Sequence, residues 1–192
     1  GTGKLVEELH NLAERVGIQI ILDTDIEEIT INSGKATGAR AVSGQVFTAD
    51  RVICNCDPPT VYSQMLGLGH RRRKRALPES SNQYSMGLYV LFFGANKIYT
   101  DMAHHTIWMG MRYKELLSDI FDKKILAEDF SLYIHRPTAT DSSFAPTGCD
   151  SFYVLCPVPN LLGNINWKEE GPRLRDRIVT ALSNTIMPEL ET

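Results

Sequence analysis

Four stretches of the sequence hold residue types whose spacing could support chemistry. ADRVICNCDPPT, residues 49–60, sets Cys54 and Cys56 one residue apart behind an apolar run. His104 and His105 are adjacent, and HRRRKR at residues 70–75 is the strongest charge feature. HRPTATDSSFAPTG, residues 135–148, gathers His, Arg, Thr, Asp and Ser in one loop-like stretch. A structural zinc needs about four ligands, usually brought by two C-x2-C-like pairs. Cys54 and Cys56 have no such partner pair, because Cys149 and Cys156 do not form a knuckle. The C-x-C spacing also lacks the C-x-x-C helix-start setting that lowers a thiol pKa. All four cysteines therefore read as small buried apolar residues of a reducing compartment, and no metal site is expected.

Successive side chains on a strand point to opposite faces, so His104 and His105 reach one ion only if the backbone bends there. The simpler reading makes them structural or solvent-facing. The basic run lacks the broad positive field and aromatic platforms of a nucleic-acid surface, and the formal charge of the chain is −3, so no nucleic-acid partner is expected. It reads as a solvated helix face, or as a dock on an anionic leaflet, where each basic residue near the surface contributes about 1 kcal/mol. In residues 135–148 there is no G-x-S-x-G elbow, and triads are assembled in space rather than by adjacency of Asp141 and Ser142. Asp and Ser are ordinary turn and cap residues, although loops at strand ends also host function. No G-x-G-x-x-G phosphate loop occurs.

The elements that must position these residues are legible from periodicity. A chain of 192 residues can bury one larger or two small cores. No run approaches the roughly 18 apolar residues of a spanning helix, and no signal-peptide pattern opens the chain. The start on Gly and directly on a helix signal is that of a piece of a longer polypeptide. Leu5, Leu9, Leu12 and Val16 predict an amphipathic helix ended by Gly17. A strand beginning at Ile18, the meander DIEEITI, KATGARAV and QVFTAD with turns at residues 32–34 and 43–44, and a return strand RVICN follow. Residues 1–66 so read as α/β, and the basic, loop-like residues 67–83 mark a boundary.

Beyond it, GLYVLFFG (87–94) and SFYVLCPV (151–158) have the continuous apolar pattern of strands buried on both faces. HTIWMG predicts another strand, and DFSLYIH alternates Phe130, Leu132 and Ile134 against Ser131, Tyr133 and His135. Tyr113, Leu116, Leu117, Ile120 and Phe121 make one helix face; Leu174, Ile178 and Leu182 make another, with Pro172 near its first turn. The fold class is α/β (α+β), the second part being a mixed, mostly antiparallel sheet of about four strands flanked by helices.

Several separated stretches, GTGKLVEELHNLAERVG, ICNCDP, LYVLFFG, AHHTI, AEDFSLYIHRPTATDSSFAPTGCDSFYVLCPVPN and EGPRLRDRI, together resemble the FAD-dependent phytoene desaturases of bacteria. These are a carotenoid branch of the amine-oxidase-like flavoproteins. The run from Ala127 to Asn160 is the most specific, through its ordered Thr140-Asp141-Ser142-Ser143, Pro146, Gly148 and Pro157-Val158-Pro159. Where this chain has Cys56 the family often has Ala or Ser, which favours packing over metal chemistry.

The resemblance implies an internal fragment, with residues 1–66 the returning part of an FAD domain and 67–192 a substrate domain with a membrane-facing region. It implies FAD as cofactor, with the main dinucleotide motif outside this chain, and hydride transfer from a phytoene-like polyene. For the cofactor it points to the backbone of Ile26 and to Asn55 and Asp57, the last two also serviceable as helix caps. For catalysis it points to Asp141 with Thr140 and Arg136 as neighbours, Asp141 being equally suited to fixing its loop. A membrane-dissolved substrate implies a cytoplasmic protein peripherally attached to the bilayer, with His70 to Arg75 as the contact, and sets no oligomeric state. The competing readings are a polyisoprenoid- or lipid-binding module without redox chemistry, and a related flavin-dependent amine or lipid oxidoreductase.

Overall fold

The structure, a computed structural model, describes residues 2–66 and 84–190; the basic run at 70–75 lies outside the described residues. The chain divides into two compact units at Gln83/Tyr84.

In the first unit, helix α1 (Thr2–Arg15) ends where the sequence places its stop. The amide of Ile18 donates to the carbonyl of Ala13 and that of Gly17 to Glu14, with Gly17 at φ +82°, which is the paired hydrogen bonding of a Schellman cap. Strands β1 (Ile26–Asn32), β2 (Lys35–Ala41) and β3 (Val46–Thr48) form an antiparallel sheet in sequence order. Ser33 and Gly34 both have positive φ, which gives the β1–β2 hairpin a turn that follows the twist of its strands. At Gly38 a Cβ would stand 1.9 Å from the Phe47 carbonyl oxygen, so β3 can approach β2 only across a glycine.

Two sequence expectations fail here. Residues 18–22 and RVICN form no strand or helix, and Ile53 is 98% exposed. Apolar β-prone composition supplies only a propensity; a strand is completed by a ladder partner, and among the described residues neither segment has one. The chain then makes a short helical turn (Pro58–Thr60) and a π-turn (Val61–Met65), which buries Met65 and bridges Leu66 to Ile29.

The second unit is built on strands β4 (Gly87–Ala95), β5 (His105–Trp108), β6 (Leu132–His135) and β7 (Asp150–Val158), in the spatial order β4-β7-β6-β5 with every neighbour antiparallel. Helix α2 (Tyr113–Ser118) runs into a π-turn (Asp119–Lys123) that buries Ile120 beside Leu116. Helix α3 (Trp167–Ser183) packs Leu174, Ile178 and Leu182 against Leu132, Ile134, Phe152 and Val154. Burying side chains of this size contributes about 1.5–3 kcal/mol each. Tyr89 anchors the start of α3, stacking on Trp167 and donating to the Gly171 carbonyl at 2.7 Å. Pro172 lies in the second turn of α3, not near its first, because the helix begins at Trp167.

β4 departs from its expected burial on both faces. Tyr89, Leu91 and Phe93 pack on the core, while Leu88 and Phe92 are exposed. The long apolar run is therefore a one-sided strand whose outer face is apolar too.

Candidate functional site

The register of the sheet places Leu88, Val90 and Phe92 of β4 opposite Pro157, Leu155 and Tyr153 of β7. Leu155 and Tyr153 in turn face Tyr133 and His135 of β6, which face Ile107 and His105 of β5. Because alternate side chains share a face, these residues form one surface on the side away from α3. It is apolar and aromatic at the β4 side and polar at the β5 side. Phe92 lies 5.1 Å from Tyr153, ring centre to ring centre, and Tyr153 meets Tyr133 edge-on at 6.1 Å. Phe92 is 77% exposed, so the face presents an apolar, aromatic patch to its surroundings.

At the polar end the structure assembles a cluster that sequence spacing did not reveal. His104 precedes β5, so the strict strand alternation expected for His104 and His105 does not hold, and their rings stack at 4.4 Å. His135 joins both, at 4.8 Å from His104 and 5.1 Å from His105. The Nε2 atoms of His104 and His135 are 2.8 Å apart, the Thr140 hydroxyl lies 2.7 Å from His104 Nδ1, and the Tyr133 hydroxyl lies 2.8 Å from His105 Nδ1. Burial first, then the neighbouring His104 and His105, holds His135 below the ordinary imidazole value. Among the described residues no group of three or more His, Cys, Asp or Glu is arranged to hold a metal.

The loop from β6 to β7 places the other expected residues. Arg136 is turned inward: its Nε donates to Asp150 at 2.8 Å and its Nη1 to the Met102 carbonyl at 2.9 Å. Asp150, only 1% exposed, also accepts from the Tyr99 amide at 2.7 Å and the Thr138 hydroxyl at 2.6 Å. Burial pushes this carboxyl up, but Thr138, the Tyr99 amide and Arg136 together outweigh it and leave the group below the ordinary carboxylate range. The structure thus separates Arg136 from Asp141, whose carboxylate is exposed and accepts from the Ser143 amide at 2.9 Å. That bond caps a 3-10 turn (Ser142–Phe144), and the Ser143 hydroxyl first, then this amide, hold Asp141 below its usual value. Thr140, next to it, is the residue that reaches the histidines.

A separate groove of about 570 Å³ lies on the helix side of the sheet, lined by Trp108, Met111, Phe130, Arg177 and Ala181. Arg177 is spread over Phe130 at 5.6 Å.

In the first unit, Ile26 opens β1 opposite Ala41, and Asn55 and Asp57 are exposed on the irregular segment before Pro58. Asp57 holds the N-cap position through its backbone alone, so its carboxylate is not spent on the helical turn that follows. The cysteines are not uniformly buried as expected. Cys54 and Cys56 are exposed and Cys149 is partly so; only Cys156 is in the core, where burial pushes its thiol up to about 12. A hydrogen bond to Cys54 raises Cys56, the opposite of the activation a redox pair requires.

Residues 1–118 match the family described as flavin containing amine oxidoreductase. Over 194 residues the chain is 43% identical to a phytoene desaturase (lycopene-forming) of Pseudescherichia vulneris, which takes in 100% of this chain and 39% of that protein. A phytoene desaturase (lycopene-forming) of Paracoccus sp. is also 43% identical, over 99% of this chain and 38% of the relative. A phytoene desaturase (neurosporene-forming) of Rhodobacter capsulatus is 36% identical over 98% of the chain and 37% of the relative. The chain thus spans about two fifths of the length of the curated relatives it matches.

Proposed function

Since the chain belongs to the flavin containing amine oxidoreductase family, we propose that it is the substrate-handling part of an FAD-dependent dehydrogenase of phytoene-like polyenes, an oxidoreductase of carotenoid synthesis. The observation that carries this reading is the open sheet face, whose Leu88, Phe92, Tyr153 and Leu155 offer an apolar, aromatic bed running toward polar groups at one end. A long hydrocarbon has no polar handle, so alignment must come from such a surface and from the exclusion of water.

When bound, the flavin supplies the hydride acceptor. Asp57, with its uncommitted carboxylate, fits a cofactor rich in hydroxyl and amide donors, and Asn55 and the backbone of Ile26 are assigned to the same role. Thr140 and Asp141 stand at the polar end of the face as the groups that manage the proton left behind, while Arg136, held by Asp150, fixes their loop. No helix among the described residues is long and apolar enough to cross a membrane. Access to a bilayer-dissolved substrate is assigned to surface contact through His70 to Arg75 on the cytoplasmic side.

The test is an FAD titration, followed by flavin fluorescence, of a polypeptide of the relatives' length that carries this chain, and then conversion of phytoene on liposomes. Binding of FAD together with conversion is expected, and failure to bind FAD overturns the reading. Phe92→Asp in the same polypeptide is expected to abolish conversion while lowering stability by no more than about 2 kcal/mol, because Phe92 is exposed and loses only its cross-strand pairing with Tyr153 and its strand propensity.

A further inference from the structure

The geometry points to His104 and His135 as a proton relay that drains the proton released during dehydrogenation from Thr140 into the imidazole pair, a role that rests on the reading above. Two contacts joined through one imidazole define the path: Thr140 Oγ1 to His104 Nδ1 at 2.7 Å and His104 Nε2 to His135 Nε2 at 2.8 Å.

The chemistry balances as follows. Two adjacent C–H bonds break and a C=C bond forms. One hydrogen leaves with two electrons as hydride to the flavin, the oxidant of the proposed reaction. The other leaves as a proton. Once hydride has gone, the neighbouring C–H is next to electron-poor carbon and is strongly acidic, so a hydroxyl backed by an imidazole is base enough to take it. Thr140 Oγ1 receives that proton as its own hydroxyl proton passes to His104 Nδ1, and the Nε2 proton of His104 moves to His135 Nε2.

The pair can store the proton that Thr140 and Asp141 meet first. Two Nε2 atoms 2.8 Å apart can hold only one proton between them, so taking one up leaves the bridge intact and taking up a second breaks it. Asp141, by Ser143, and His135, by burial and then its neighbours, are both held below their ordinary values, and the imidazole is the better proton store because it starts from the higher one. The other titratable groups around the pair are His105 on β5, Tyr133 on β6 and Tyr153 on β7, the buried Arg136–Asp150 pair and Asp141 itself. Arg136 also ties its own amide to the His104 carbonyl at 2.9 Å, so the loop and the pair are one mechanical unit.

The experiment has two arms. Nuclear magnetic resonance of this chain with isotope-labelled histidine follows each ring nitrogen with pH. We expect His104 and His135 to take up protons in two steps separated by more than about one pH unit, and His135 to titrate in a single step in His104→Gln. Uptake of both protons in one common step overturns the relay. In the flavin-loaded polypeptide of the relatives' length, His104→Gln and the isosteric Thr140→Val are expected to slow flavin reduction by phytoene by a factor of roughly 100 or more, with FAD affinity kept and the acid limb of the pH profile lost. Slowing with the acid limb unchanged means that the pair is only structural and overturns the relay. If the wild type binds FAD but phytoene does not reduce it, the dehydrogenase reading fails and takes the relay with it. The resonance titration tells this case apart, because the coupling survives in it.

Discussion

Asp150→Asn is the sharpest test of how the site loop is held. The substitution keeps the size of the side chain but leaves the Arg136 guanidinium, itself buried, without its counter-charge. It also sets an amide against the donors from Tyr99 and Thr138. Removing one member of a buried ion pair costs about 3–5 kcal/mol. For a unit of this size each kcal/mol is worth about 4–8 °C, so a fall in Tm of about 12 °C or more is expected. Both tryptophans of the chain, Trp108 and Trp167, lie in the second unit, so denaturant unfolding followed by tryptophan fluorescence reads that unit alone. The pH dependence carries a second signature. The folded value of Asp150 is depressed, so its contribution is fully present above the ordinary carboxylate value, near 4, and is lost as pH falls through the folded value. Asp150→Asn should therefore flatten the acid side of the stability profile. A loss below about 1 kcal/mol would refute the reasoning, since it would mean that Arg136 finds solvent or another partner at little cost.

Three further outcomes are expected. Asp141→Asn should lower turnover in the polypeptide of the relatives' length while FAD stays bound and the fold is retained, because among the described residues the carboxylate is held only by Ser143 of its own turn; unfolding by circular dichroism separates this from a structural effect. Ile26→Val should leave FAD affinity unchanged and Ile26→Pro should weaken it, as a titration would read. Replacing Arg71, Arg72 and Arg73 with Gln should reduce sedimentation with anionic liposomes, and the difference should shrink at high salt.

Much of the scaffold was legible because local chemistry and tertiary packing agree. Leu174, Ile178 and Leu182 repeat at helical spacing and are fully buried; Leu132 and Ile134 alternate and face the core; Ser33 and Gly34 make the turn their types demand. What was misread depends on partners. Ile18, Ile20 and Ile53 look like strand residues, yet strand identity resides in a second chain segment that composition cannot supply. The outer face of β4 read as buried because Leu88 and Phe92 are apolar, and hydropathy does not distinguish a core face from an exposed apolar one. The histidine cluster was missed because His135 is about thirty residues away in sequence. The signal was present, though: pairing HTIW with LYIH in antiparallel register puts His105 opposite His135.

β7 alternates without a break, Asp150, Phe152, Val154, Cys156 and Val158 inward, Ser151, Tyr153, Leu155 and Pro157 outward. Two inheritances are thus interleaved on one ribbon. The inward letters are constrained by the rest of the fold, and drift there is purged as instability. The outward letters are not held by the core, so they can be changed one at a time, and whatever lies on that face with them, without the ribbon relearning how to fold.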